Sequence, residues 1–231
     1  YVWDDRGVAP IGYSKGMAVT YAYVYAKWRA GDSSVRVMAQ APGDAEHDAL
    51  TWYDFNTLGL GNIRSGLPAL RAVFTLAWGL GMRESSGNYS EGRDMAATNV
   101  EADTAEAGLF QQSWNSHTAS PEIDKLLNEY TTSPSDGLRS IFREGVSEQS
   151  TDDFGSGDGA VFQHLCKTKP SFAVECVAVG LRVIRKHWGP INRREVEVVT
   201  SVEVLLQQVE TIVDSVSQPS EPKMPPEVFP P

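Results

Sequence analysis

Cysteine is nearly absent from this chain of 231 residues, with Cys166 and Cys176 as its only thiols. Two cysteines are too few for a zinc knuckle, and neither stands in a Cys-x-x-Cys spacing. The pair fits either two buried thiols or one disulfide in an oxidising compartment. Long apolar runs are missing too. The longest uncharged stretch near the middle, Ala72 to Met82, falls far short of the about 20 apolar residues that cross a bilayer, so no integral membrane segment is expected. Positive charge is the scarcer sign: 20 basic residues face 30 acidic ones, for a net charge of −10. Such a surface repels polyanions, and nucleic acid is excluded as an expected partner.

Several chemical signatures are also lacking. Phe154-Gly155-Ser156-Gly157-Asp158-Gly159 is rich in glycine, but no strand precedes it and no Lys-Ser/Thr pair directly follows its last glycine. It reads as a turn, with Asp158 capping a short helix through Leu165. Asp152, Asp153 and Asp158 miss the alternating spacing of a calcium loop, and His47, His117, His164 and His187 are scattered. Neither a metal nor an organic cofactor is implied. Repeats at solenoid or propeller periods are absent.

What is present is material for a helical core: 41% apolar residues, with 6 Trp, 8 Tyr and 8 Phe. The expected fold class is mainly α, a single domain over 1–216 followed by a tail over 217–231 in which six of fifteen residues are proline. Helices are expected at Lys15 to Ala30, Ser65 to Leu80, Pro121 to Tyr130, Asp136 to Glu144, Ser171 to His187 and Ser201 to Val216. In Ser65 to Leu80, Ser65 stands as cap and Pro68 in the first turn. Leu67, Leu70, Val73, Phe74, Ala77 and Leu80 recur at helical spacing, and Leu76 and Trp78 make the other face apolar, which marks a buried central helix. The Gly189-Pro190 pair is expected to end the fifth of these helices. Strand signals are scarce, with a weak alternation at Ser34 to Met38. Ser85 to Ala105 is polar and without helical period; it follows the buried helix directly as a long loop or small β-hairpin region, where function tends to reside.

The junction of that helix and that loop reads Gly81-Met82-Arg83-Glu84-Ser85-Ser86-Gly87-Asn88-Tyr89. Glu84 ends a run containing Leu76, Trp78 and Leu80, and apolar neighbours disfavour its ionised form, as a general acid requires. The acidic loop then carries Glu91, Asp94, Glu101, Asp103 and Glu106. Gly108-Leu109-Phe110-Gln111-Gln112-Ser113-Trp114 follows, combining apolar groups, paired amides and an indole that suit a wall for sugar hydroxyls and pyranose faces. Glycoside cleavage needs one carboxylic acid to protonate the leaving oxygen and a second group to activate water or stabilise positive charge.

These motifs resemble the lysozyme-like superfamily, in particular goose-type lysozymes and lytic transglycosylases. Glu84-Ser85-Ser86-Gly87 matches the family's glutamate at the end of a buried helix, and Gly108-Leu109-Phe110-Gln111 matches its Gly-Leu-Met-Gln, with Phe110 in place of Met. The likeness covers Ser65 to Trp114, under a quarter of the chain. It implies a lysozyme-like helical domain that cleaves β-1,4 bonds between amino sugars, most naturally of peptidoglycan, as a muramidase or lytic transglycosylase. It implies Glu84 as general acid, Asp103 as the second carboxylate with Glu106 in reserve, and Tyr89 with Gly108, Leu109, Phe110, Gln111, Gln112, Ser113 and Trp114 along the sugar subsites. The aspartate that the goose-type enzymes carry shortly after their Gly-Leu-Met-Gln is missing, and Ser113 and Trp114 occupy that neighbourhood. Alternatives are a chitosanase- or chitinase-type hydrolase, favoured by the acidic loop, and a non-catalytic binder of amino-sugar polymers. The implied location is secreted or periplasmic, the implied state a monomer and the implied partner a polysaccharide.

Two further features carry an expectation. The segment Arg182 to Arg194, with Arg185, Lys186, His187, Trp188, Asn192 and Arg193, is read as a solvated helix end whose bases complement the dipole, with Trp188 the residue best placed to do more. Asn88-Tyr89-Ser90 is formally a glycosylation sequon, but it lies beside the proposed acid and is expected to be unused.

Overall fold

A computed structural model of the chain describes residues 1–55, 58, 60–93, 101–149 and 152–217. The proline-rich tail beyond 217, and Asp94 in the acidic loop, therefore lie outside the described residues. The fold is mainly helical. A short antiparallel pair, β1 (Val2–Trp3) with β2 (Gly7–Val8), opens the chain in the register Val2↔Val8 and Trp3↔Gly7. The helices follow as α1 (Ile11–Arg29), α2 (Ser33–Met38), α3 (Ala49–Trp52), α4 (Leu67–Ser85), α5 (Pro121–Thr132), α6 (Arg139–Phe142), α7 (Asp158–Thr168), α8 (Pro170–Val183), α9 (Gly189–Asn192) and α10 (Thr200–Ser217).

Two helices form the centre. In α4, residues on every face are buried, Leu70, Val73, Phe74, Leu76, Ala77, Trp78 and Leu80 among them. The α8 helix is likewise buried from Pro170 to Arg182. A helix apolar all round needs neighbours on all sides; here α10 packs on α4, α1 reaches it through Tyr13 against Trp78 and Tyr21 against Phe74, and α2, α5 and α7 pack on α8. One contiguous apolar cluster runs from Trp3 to Leu206.

Polar groups that enter this core are paired. Arg182 grips Asp48 with Nε and Nη2 and donates to the carbonyls of Val37, Met38, Gln40 and Ala41. Glu175 is fully buried; it accepts from Lys27 Nζ at 2.9 Å and from Tyr130 Oη at 2.6 Å. Burial without such partners costs several kcal/mol per ion. Cys166 and Cys176 are both buried free thiols.

Several local expectations need correction. Ser34 to Met38 is helical, not extended: over so few residues alternation and helical period look alike, and Asp32 decides by capping Ser34 N at 2.9 Å. Gly66, not Ser65, caps α4, at φ 88, a conformation that glycine adopts without strain. Of Asp136 to Glu144 only α6 is α-helical, because Gly137 and Leu138 both take positive φ just before it. The α8 helix stops at Val183, and Arg185–His187 is a 3₁₀ turn. Gly189-Pro190 begins α9, since proline suits a first helical turn as well as a stop.

Candidate functional site

The site grows from the last turn of α4. Ser86 at φ 52 and Gly87 at φ 78 end the helix in the left-handed region, one turn after Gly81 packs against the Tyr13 hydroxyl. A Cβ at Gly81 would lie 2.5 Å from that oxygen, so the close approach that fixes this end requires glycine. Ser85 Oγ then donates to the Leu109 carbonyl at 2.9 Å, tying the helix end to the segment that carries the second motif.

That segment is a tight reverse turn. Ala107 and Gln112 bridge antiparallel, with Gly108 at φ 74 and Gln111 at φ 45 between them. Gly108 rests on α7, where a Cβ would lie 2.7 Å from the Cys166 carbonyl. Its N–H donates to the Glu91 carbonyl at 2.9 Å. The acidic loop is thus pinned at one end to the helix and at the other to the turn.

Between them opens a cleft of about 340 Å³, lined by Glu84, Glu91, Gly92, Arg93, Glu106 and Gln111. Burial, joined by the charge of Glu106, pushes the Glu84 carboxyl up to about 7. Arg83, Arg193 and Arg6 pull the other way and do not win. Two of them are already engaged: Arg83 with Asp5 and, at 3.1 Å, Glu195, and Arg193 with Glu195 at 2.7 Å. Near neutral pH the acid is therefore divided between its protonated and ionised forms. Burial raises Glu91 as well, and the amides of Gln149 and Asn88 offset only part of that rise.

Of the residues singled out in the sequence, Glu84, Glu106 and Gln111 meet in this cleft. Asp103 does not line it. It stands exposed on the 3₁₀ turn Ala102–Thr104, with its carboxylate against Gly159 in the first turn of α7. Its physical place there is the positive end of a helix.

The proposed wall is mostly core. Leu109 and Phe110 are fully buried, and Gln112 donates to the Ala173 carbonyl at 3.0 Å. Ser113 is buried with its hydroxyl on Asn115, and Trp114 lies stacked on His117 at 4.0 Å and packed against Phe162. Tyr89 is buried too, its hydroxyl held by Glu148. Backbone geometry explains this: in a turn so tight only the residue at its outer corner, Gln111, points its side chain away from the core. Gln111 Nε2 donates to the carbonyls of Gly92 and Gly108, at 3.2 and 3.1 Å.

The basic segment is a solvated helix end only in part: Lys186, Arg193 and Arg194 are exposed. Arg182 and Arg185 are buried, and Trp188 donates from Nε1 to the Phe110 carbonyl at 3.0 Å, bracing the turn from below. Burial lowers His187 to about 4, and the neutral ring accepts from Ser113 N. Asn88, of the sequon, gives its side-chain amide to Glu91 at 3.3 Å.

Glu91, Gly92 and Arg93 are the lining residues that the motif does not name. The acidic loop drew attention to Glu91 as charge; its distinct place follows from the bond between its carbonyl and Gly108. Among the described residues no group of His, Cys, Asp and Glu is arranged to hold a metal ion, and no helix is long and apolar enough to cross a membrane. Comparison with protein-family models, with curated proteins and with solved structures returns no match.

Proposed function

We propose that the protein is a glycosidase acting on β-1,4-linked amino sugars, with Glu84 as general acid and peptidoglycan as the first candidate polymer. The observation that carries this reading is a carboxyl at the end of a buried helix, lifted to about 7 by desolvation, opening onto a cleft with further carboxylates. An acid in that state donates its proton to a leaving oxygen near neutral pH, and charge nearby stabilises the positive sugar centre that develops. The motifs Glu84-Ser85-Ser86-Gly87 and Gly108-Leu109-Phe110-Gln111 support it by their likeness to lysozyme-like enzymes. Asp103 has no part in it; the partner carboxylate comes from Glu91 or Glu106.

A second reading, cleavage of a cationic polymer such as chitosan, draws support from the three glutamates among the six lining residues. Mass spectrometry of fragments released from purified peptidoglycan and from chitosan separates the two. Reducing-end muropeptides mark a muramidase, anhydro ends a lytic transglycosylase and glucosamine oligomers a chitosanase. Absence of fragments from both polymers, with retained affinity for either, leaves the non-catalytic binder.

A further inference from the structure

The three carboxylates of the cleft are held in different ways, and the difference assigns them different work. Glu84 is set by desolvation and by charge. Burial raises Glu91 too, but unlike Glu84 it has amide donors that offset part of the rise: its Oε2 accepts from Gln149 Nε2 at 2.8 Å and from Asn88 Nδ2 at 3.3 Å. Both donors fall on one oxygen, so neither bond takes up Oε1. Amide N–H groups favour the ionised form of a carboxylate.

The donors are themselves fixed. Gln149 donates its backbone N–H to Ser90 Oγ at 2.9 Å and accepts from Gly92 N at 3.4 Å, and Asn88 Oδ1 accepts from Ser90 N at 3.1 Å. The Glu91 backbone is anchored through Gly108. A proton acceptor needs these features: an ionised carboxylate, a lone pair available and a position that does not wander. Glu106 differs again, since its charge is the second cause of the raised Glu84 and so helps keep that acid protonated.

We infer that Glu91 is the general base of an inverting hydrolysis, taking the proton of the water that attacks the sugar. The inference rests on the glycosidase reading above. In the step, the water oxygen bonds to the anomeric carbon as the glycosidic C–O bond breaks, and the bonding pair leaves with the departing oxygen. Glu84 protonates that oxygen while Glu91 takes one proton from the water. The products are one reducing end of inverted configuration and one free hydroxyl, and the two carboxyls return to their starting states by exchange with solvent.

The test uses the full chain and whichever of the two polymers it cleaves. In Glu91→Ala, kcat should fall about 100-fold or more with KM within about threefold. Added azide, an anion small enough for the space left, should restore part of the turnover and yield a glycosyl azide of inverted configuration, a response no structural role gives. Glu91→Gln, nearly isosteric, guards against a collapsed loop and should be equally slow. In Gln149→Leu, loss of one donor should move the acidic limb of the kcat/KM profile to higher pH. Full turnover in Glu91→Ala, loss of turnover that azide does not rescue, or anhydro-ended products from the unmodified protein each overturn the inference. If Glu84→Gln is inactive in the same assays, the glycosidase reading survives such a failure; if Glu84→Gln is fully active, both fall.

Discussion

Glu84 and Glu175 are both glutamates that helices draw out of water, and they differ in what meets the charge. Glu175 is the more deeply buried, yet Lys27 and Tyr130 each bring a proton to its carboxylate. Glu84 is only partly covered, and its nearest strong influence after burial is another carboxylate, Glu106. The first arrangement joins α1, α5 and α8; the second leaves a carboxyl poised near 7 beside another carboxylate. Burial alone therefore does not decide the state of a glutamate's charge. The partner does.

The contrast breaks most visibly in activity. Glu84→Gln is expected to lose about 1,000-fold or more of its cleavage at pH 6, with an unchanged circular dichroism spectrum. Next comes stability at the other glutamate. Lys27→Met leaves Glu175 buried without its cation, and urea unfolding should show a loss of about 3–5 kcal/mol, with cleavage per folded molecule retained.

The two glutamates should also separate in pH dependence. Glu84 binds a proton more tightly folded than unfolded, so its folded value of about 7 stands above the unfolded 4.5. Between these values the folded state holds more protons, and stability falls as pH rises from about 4.5 to about 7. Glu84→Gln removes that loss: the variant should be the more stable by about 1–3 kcal/mol at pH 8, with the difference gone below pH 4. Equal melting temperatures at pH 8 would show that the carboxyl is not desolvated. Cleavage by the unmodified protein should decline as pH rises through about 7, where the folded acid loses its proton.

The smallest effect belongs to Asp103. Asp103→Ala should leave cleavage within about twofold and cost about 0.5–1 kcal/mol, the contribution of a carboxylate at the start of α7. A large loss of turnover would bring it back into the site.

Much of this fold is legible in local pattern. The central α4 is announced by apolar residues on both faces, and Pro121–Thr132 by the proline and cap at its start. Short elements were less readable, because α2 and α6 hold too few residues to establish a period and depend on Asp32 or on the φ of Leu138. The site was legible in part. Glu84 could be placed because its environment is set by the helix it ends. Apart from Gln111, the Gly108 to Trp114 wall could not, because a composition suited to sugars, with amides, an indole and apolar groups, equally suits a turn folded into a core.

What the sequence by itself determined is the helical class, the buried α4 and the glutamate at its end, all consequences of periodicity within a single segment. Only the tertiary structure decided which carboxylates stand beside that glutamate. The loop after α4 has no period of its own, so its residues take their places from distant anchors. The Gly108 N–H fixes Glu91, Gln149 orients the side chain, and the first turn of α7 draws Asp103 away. Spacing along the chain counts residues between two motifs; it does not carry the positions of the groups that hold them.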